Sequence, residues 1–299
     1  MTQPPRLTQH DFHPEVLRLF DQYVHGQIDR RGFLAAAGRY AAGAAGAVGL
    51  LAALSPRFAA AQQVANDDAR IRTEYREIES PEGYGQVRGY LARPAEAQGP
   101  LPVVLVVHEN RGLNPHIEDV ARRLAVAGYI AFAPDALYSL GGYPGDEDAA
   151  RALFVQLDQN KCREDFVAAA RWLRGVEGSS GRLGAVGFCY GGAIVNLLAT
   201  RVPELVAAAP YYGGPAPLKD VPAIKAELLV VLAAEDERIN ATWPGYEAAL
   251  TAAGVSHTLF QPDGTLHGFH NDTTPRYSEG AAREAWAKTL ALFERRLKA

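Results

Sequence analysis

The chain has 299 residues, 48% of them hydrophobic, which is enough for one large core or at most two domains. The 30 Lys and Arg residues nearly balance the 34 Asp and Glu residues, and no basic run occurs. The composition therefore gives no support for nucleic-acid binding. The two cysteines, Cys162 and Cys189, are too few for a disulfide framework, although a single bridge between them is an alternative to two free thiols.

The first 61 residues differ in composition from the rest of the chain. Arg30-Arg31 is followed by Phe33-Leu34, by an Ala- and Gly-rich segment that runs to Leu54, and by Ala59-Ala60-Ala61. This order resembles a twin-arginine export signal with an A-x-A cleavage site. It predicts that residues 1–61 are a signal or N-terminal extension, that Arg30 and Arg31 engage the twin-arginine export machinery, and that the protein reaches the periplasm.

Two alternatives to a cleaved signal remain for this segment. Residues 13–28 carry helical periodicity, so the segment could be a helical extension that stays attached to a cytoplasmic protein. A membrane anchor is the other alternative, but Arg39 and four glycines interrupt the apolar stretch. We therefore expect no stable membrane insertion.

From Ile71 onward, strands alternate with helices, and no interdomain linker is evident, so residues 62–299 are expected to form one domain. The predicted strands are 72–79, 86–93, 101–108, 129–134, 183–188, 205–211, 228–233 and 257–261. The predicted helices are 117–127, 147–158, 163–174, 191–200, 246–253 and 278–297. Such alternation indicates an α/β fold with a mostly parallel central sheet and helices on both faces. Function in such sheets collects at the carboxyl ends of the strands.

The segment Gly187-Phe188-Cys189-Tyr190-Gly191-Gly192 carries the strongest chemical signal. It has the G-x-nucleophile-x-G form of a nucleophile elbow, with cysteine where serine usually stands. A helix N-terminus favours the thiolate over the thiol. Cys189 is therefore the candidate nucleophile, and a buried inert cysteine is the alternative.

A sulfur nucleophile needs a base and an acid that orients the base, and in elbow hydrolases the acid precedes the histidine in the chain. Asp236 follows the predicted strand 228–233, and His267 lies in the loop after the last strand. Glu235 is the alternative acid and His270 the alternative histidine.

The strand 101–108 ends at His108-Glu109-Asn110-Arg111. This loop and the residue after the nucleophile supply the oxyanion hole of an elbow hydrolase, here the amides of Asn110 and Tyr190. A carboxylate at Glu109 is costly to bury without a partner. It either handles the thiol proton or forms an ion pair with Arg111.

Together, the His-Glu strand end at 108–109, Ala133-Pro134-Asp135, the elbow, the Asp236 turn and His267-Gly268-Phe269 resemble the dienelactone hydrolase family. The similarity runs from about residue 72 to the C-terminus. It implies an α/β-hydrolase fold and cleavage of carboxylic esters or lactones through a thioester. The implied triad is Cys189, Asp236 and His267, and Glu109 would accept the thiol proton as substrate binds.

The resemblance is weakest at the substrate site, because the arginines that clamp a substrate carboxylate in this family have no counterpart at the corresponding positions. Arg111, Arg238 or Arg276 could replace them. Tyr138, Tyr143, Trp243 and Phe269 could line an apolar pocket. No cofactor and no metal are expected, because Cys/His clusters at zinc spacing and phosphate-binding glycine loops are missing from the sequence.

Two other classes of function compete with a hydrolase of small esters or lactones. A non-catalytic periplasmic binding protein on a hydrolase fold is favoured if Cys189, Asp236 and His267 fail to converge. A thiol-transfer protein would need Cys162 as a resolving thiol, because the chain has no C-x-x-C pair.

Overall fold

A computed structural model describes residues 6–41 and 43–298 of the chain. The central sheet has eight strands: β1 (Ile71–Ser80), β2 (Gly85–Pro94), β3 (Leu101–Val107), β4 (Ile130–Pro134), β5 (Ser179–Phe188), β6 (Leu205–Tyr211), β7 (Glu227–Val231) and β8 (His257–Phe260). Their order in space is β1-β2-β4-β3-β5-β6-β7-β8. β2 is antiparallel to β1 and to β4, and every later pairing is parallel.

Eleven helices are described: α1 (Pro14–Val24), α2 (Arg30–Ala37), α3 (Gly43–Leu54), α4 (Phe58–Ala61), α5 (Pro115–Val126), α6 (Glu147–Phe154), α7 (Gln159–Arg174), α8 (Tyr190–Arg201), α9 (Glu237–Asn240), α10 (Trp243–Ala252) and α11 (Glu279–Leu297). Within the described ranges, no single helix is long and apolar enough to cross a bilayer. The pair Arg30–Tyr40 and Ala45–Ala61 reaches that length and composition only together, with a bend of 109°.

The sheet is covered on both faces, and β3 shows how its sequence allows this. Val103, Leu105 and Val107 point into the core beneath α7, α8 and α10, whereas Val104 and Val106 point into the core beneath α5 and α11. The continuous β-branched run of β3 fits a strand that is buried on both sides. The predicted α/β-hydrolase fold is confirmed.

The predicted element boundaries are close to those observed, with two informative differences. β5 starts at Ser179 instead of Leu183, because Ser179 pairs with Leu101 across a register shift. α10 starts at Trp243 instead of Tyr246, with Pro244 in its first turn. Proline is tolerated there because the N–H groups of a first turn have no intrahelical partner.

Residues 6–61, which we call the N-terminal segment, have an apolar core of their own. The buried side chains in that core are Val16, Leu17, Leu19, Phe20, Tyr23, Phe33, Ala37, Leu51 and Leu54. In α1 the buried residues recur at helical spacing, so one stripe of the helix faces inward. Leu266, which immediately precedes His267 in the chain, packs against the same core.

Candidate active site

The turn between β5 and α8 holds Cys189 in a conformation that most residues avoid. Its φ is 56° and its ψ is −112°, and α8 begins at the next residue. A side chain in this region of backbone space is strained, and such strain is typical of a residue held in place for function. The Cys189 side chain is only partly buried.

The glycines of the elbow are required by the close approach of strand and helix. A Cβ atom at Gly187 would lie 2.3 Å from the carbonyl oxygen of Gly191. A Cβ atom at Gly191 would lie 2.2 Å from the carbonyl oxygen of Val107. No side chain fits at either position, so the two glycines let α8 begin directly above the ends of β3 and β5.

Asp236 and His267 meet at the carboxyl edge of the sheet. Nδ1 of His267 lies 2.5 Å from Oδ2 of Asp236, and both side chains are buried. Asp236 also caps α9, accepting a hydrogen bond from the amide of Ile239 at 3.3 Å. Glu235, the alternative acid, is exposed on the same turn.

His267 turns its other ring nitrogen toward Cys189. Sγ of Cys189, one ring nitrogen of His267 and one ring nitrogen of a third residue, His25, all lie within 4.8 Å of one another. His270, the alternative histidine, instead stacks on Phe188, with ring centroids 5.0 Å apart. Burial, assisted by the charges of Arg123 and His116, lowers the pKa of His270 to about 3.

Electrostatics in this cluster favour a thiolate. Burial alone would raise the pKa of the Cys189 thiol, but the neighbouring charges of His267 and His25 lower it to about 6. Burial lowers the pKa of His267, whereas the Cys189 thiolate and Asp236 raise it to about 10. Between about pH 6 and pH 10, Cys189 is therefore expected to be a thiolate and His267 an imidazolium.

Cys162 provides the contrast. It is fully buried beneath the sheet, and burial raises the pKa of its thiol to about 12. Both cysteines are free thiols, so the alternative of a Cys162–Cys189 bridge is not observed.

Glu109 lies at the end of β3 and lines the same cavity as Cys189. Its Oε2 accepts a hydrogen bond from Nδ2 of Asn271 at 2.9 Å. Arg111 does not partner it, because Nε of Arg111 faces Oε2 of Glu147 at 3.7 Å instead. The expected alternative, an ion pair between Glu109 and Arg111, is replaced by these two separate contacts.

The cavity at Cys189 has a volume of about 330 Å³. Its walls come from the N-terminal segment, the loop after β3, the loop after β4 with the start of α6, the elbow after β5, and the loop that follows β8. They include Phe20, Tyr23, Val24, Arg30, Leu51, Phe58, Glu109, Asn110, Arg111, Tyr143, Glu147, Cys189, His267, Asn271 and Arg276.

Three of the predicted substrate contacts lie away from this cavity. Phe269 is fully buried in the core, with its ring 5.8 Å from that of Tyr212. Trp243 packs its ring against Tyr246 and His257 at the start of α10. The Tyr138 hydroxyl donates a hydrogen bond to Glu77 on β1 at 2.6 Å. Of the other candidates named from the sequence, Arg111, Tyr143 and Arg276 line the described cavity, and Arg238 does not.

Of the two residues predicted to supply the oxyanion hole, Tyr190 lies in the elbow and Asn110 lines the cavity that contains Cys189. Tyr190 is the first residue of α8, where N–H groups have no intrahelical acceptor. Asn110 follows β3, and its side-chain Nδ2 donates to the carbonyl of Val24 at 3.1 Å.

His25 was not among the predicted site residues, because it lies in the segment interpreted as an export signal. The helical periodicity of residues 13–28 was a usable signal, since Asp21 and His25 are four residues apart on its polar side. His25, Cys189 and His267 form a group of three side chains whose possible metal-ligating atoms lie within 4.8 Å of one another. Among the His, Cys, Asp and Glu residues of the described ranges, this is the one such group. The guanidinium Nη2 of Arg238 lies 3.3 Å from Nε2 of His25, and its positive charge opposes the binding of a metal ion by these three side chains.

The fold and this edge of the sheet are those of an α/β hydrolase, with Cys189 in the tight turn between β5 and α8. Residues 87–297 match the model of the Dienelactone hydrolase family, and residues 3–43 match a separate YqhI-like model. Since the first match covers more than half of the chain, the protein belongs to the dienelactone hydrolase family. It is a hydrolase of the class that cleaves esters and lactones.

Individual relatives agree with this assignment. The "Putative carboxymethylenebutenolidase" of Synechocystis is 36% identical over 71% of this chain and 93% of its own. The "Putative hydrolase fragment YghX" of Escherichia coli is 57% identical, over 38% of this chain and 96% of its own. The crystal structure titled as a putative dienelactone hydrolase from Klebsiella pneumoniae has a TM-score of 0.66 and 31% identity, covering 74% of this chain and 98% of that one.

Proposed function

We propose that the protein hydrolyses carboxylic esters or lactones through a thioester on Cys189, with His267 as base and Asp236 as the residue that orients it. The observation that carries the proposal is the convergence of Asp236, His267 and Cys189 at the carboxyl edge of the sheet. The same convergence disfavours the alternative of a non-catalytic binding protein.

The mechanism has two halves. The Cys189 thiolate forms a bond to the carbonyl carbon, and the carbonyl electron pair moves to its oxygen, next to the amides of Tyr190 and Asn110. When the pair returns, the bond to the alkoxide or enolate breaks, and that group takes the proton of His267. Neutral His267 then removes a proton from water, the hydroxide adds to the thioester, and the acid leaves as the Cys189 thiolate re-forms.

Two arginines of the cavity wall are the candidates for binding a substrate carboxylate, although Arg111 already faces Glu147 and Arg276 faces Asp21. Arg111 and Arg276 both line it, and both guanidinium groups are buried. These are two of the three arginines expected to replace the family's clamp. We propose turnover of a carboxylate-bearing dienelactone and of the matching neutral lactone as the comparison that defines the substrate class.

Hydrolysis of p-nitrophenyl acetate tests the mechanism. Cys189→Ala and His267→Ala are expected to lose hydrolysis, and Cys162→Ala, which removes the other thiol, is the matched control that keeps it. Iodoacetamide at pH 7 is expected to alkylate Cys189 and spare Cys162, as mapped by mass spectrometry. Equal esterase rates in all four proteins would contradict the mechanism.

Export through the twin-arginine machinery by way of Arg30 and Arg31, and a periplasmic location, stay predictions. N-terminal sequencing of the protein from fractionated cells tests them. Recovery in the cytoplasmic fraction alone would count against export, and a chain that still begins at Met1 or Thr2 would count against cleavage.

A further inference from the structure

The N-terminal segment covers the cysteine edge of the sheet, and its packing fixes its position there. The apolar stripe of α1 packs with Phe33 and Leu54 into one core. Leu266, next to His267, joins that core from the loop after β8. The segment and the loop that carries His267 are therefore held together by buried apolar contacts.

Polar contacts fix the C-terminal end of α1 on the loop after β3 and on α6. The carbonyl oxygen of Val24 accepts hydrogen bonds from Nδ2 of Asn110 at 3.1 Å and from Nη2 of Arg111 at 3.3 Å. The carbonyl oxygen of Tyr23 accepts one from Nη1 of Arg151 at 2.7 Å. The last carbonyl groups of a helix lack intrahelical donors, so these side chains supply them.

His25 follows directly at the end of α1 and is oriented by Asp21. Its Nδ1 lies 2.8 Å from the carbonyl oxygen of Asp21 and 3.3 Å from Oδ1 of the same residue. This leaves Nε2 facing Sγ of Cys189 at 3.7 Å. The imidazole ring also meets that of His267 edge-on, with ring centroids 4.6 Å apart.

The cysteine thus lies between two histidines, each with an aspartate on its far nitrogen. Asp236 orients His267, and Asp21 orients His25. In both pairs, the carboxylate of the aspartate fixes the imidazole ring and favours its protonated form. Asp21 is in turn 3.5 Å from Nη1 of Arg276.

Charged groups from α1, the elbow, the loop after β8 and α9 surround His25 and act on its protonation. Asp21 on α1 and the Cys189 thiolate favour the imidazolium, whereas His267 and Arg238 oppose it. Arg238 is exposed on α9, so solvent screens its charge. Burial lowers the pKa of His25, but Asp21 and Cys189 raise it to about 9.

We propose that His25 is a second active-site imidazole, which stays protonated and keeps Cys189 as a thiolate, while His267 alone transfers protons. This inference rests on the proposed thioester mechanism. It makes the N-terminal segment part of the catalytic site. It also means that the resting enzyme does not need Glu109 to accept the thiol proton.

The proton balance follows from this division. The thiol proton passes once to Nε2 of His25 and remains there. In each cycle, the proton of His267 goes to the leaving group and is replaced by one from water, so ester and water yield acid and alcohol. The His25 imidazolium is unchanged at the end and faces the sulfur when it attacks and when it leaves.

The rate of iodoacetamide alkylation as a function of pH tests the inference, because only the thiolate reacts. The wild-type rate is expected to reach half its maximum near pH 6. In His25→Gln, a rise in the thiol pKa of about one unit or more would slow alkylation roughly fivefold at pH 6 and leave it unchanged at pH 9. His10→Gln, the same change at an exposed residue of the same segment, is expected to match the wild type.

Glu109→Gln distinguishes Glu109 from His25 as the acceptor of the thiol proton. If His25 is the acceptor, the pH at which alkylation of Glu109→Gln reaches half its maximal rate stays near 6. Histidine NMR of the full chain gives a second measurement that does not require a His25 variant to fold. In Cys189→Ser, the pKa of His25 is expected to fall, since the thiolate that stabilises its imidazolium is gone.

An unchanged alkylation profile in folded His25→Gln, or a His25 pKa unaffected by Cys189→Ser, would overturn the inference. If the inference about His25 failed in this way but Cys189→Ala lacked esterase activity, the proposed thioester mechanism would still stand. If Cys189→Ala kept that activity, the proposed function itself would fail. The inference also requires that the N-terminal segment is retained, because a chain cut after Ala61 has no His25.

Discussion

Replacing Phe33 by alanine is expected to detach the N-terminal segment while the sheet stays folded. Phe33 is fully buried, with its ring centroid 6.2 Å from that of Phe20 and 5.6 Å from that of Tyr23. Truncating a buried phenylalanine costs about 3–5 kcal/mol. The small core of the segment must absorb this loss, so the equilibrium constant for its opening should rise about 10²- to 10⁴-fold.

Hydrogen exchange followed by mass spectrometry measures that opening directly. Peptides from α1 and α3 should lose protection in Phe33→Ala, while peptides from β3 and β5 keep it. Val48→Ala is the matched control, because Val48 lies on α3 with 48% of its side-chain surface exposed. Equal loss of protection across the segment and the sheet would refute the reasoning, since the segment would then not be a separate cooperative unit.

Two further substitutions test the site and the elbow. Asp236→Asn is expected to lower ester turnover by about 10²- to 10⁴-fold, because the amide no longer fixes the protonated His267 ring, with Glu235→Gln as the unaffected neighbour. Activity in Asp236→Asn equal to wild type would reject its orienting role. Gly191→Ala is expected to destabilise the fold by about 1–3 kcal/mol or more, because its Cβ would lie 2.2 Å from the Val107 carbonyl oxygen. Calorimetry should show a lower Tm for Gly191→Ala and little change for Gly214→Ala, where nothing lies within 4 Å.

The sequence was sufficient for the fold, and it also picked out three side chains that the structure brings close together, because both depend on local patterns. Buried β-branched runs identify the parallel strands, and glycines around Cys189 identify the elbow. Asp236 and His267 were found because they follow strands whose carboxyl ends share one edge of the sheet. Their identification needed chain order and no side-chain geometry.

The walls of the cavity were harder to predict, because they depend on long-range packing. Aromatic residues such as Phe269 and Trp243 fit a core as well as a pocket, and only the packed structure separates the two. His25 was missed for a similar reason. A weakly apolar segment with paired arginines fits an export signal, and nothing local shows that its first helix docks beside Cys189.

The order in which the protein is synthesised determines when α1 can dock. The helix is synthesised more than 200 residues before Leu266 and Arg276, which complete its docking surface. Until those residues are made, the apolar stripe of α1 can pack only within its own segment, against residues such as Phe33 and Leu54, and Arg30 has no partner until Asp148 has been made. Throughout that interval the side of α1 that later meets the loop after β8 is open to a targeting factor or chaperone, and this access ends when Leu266 and Arg276 pack against it.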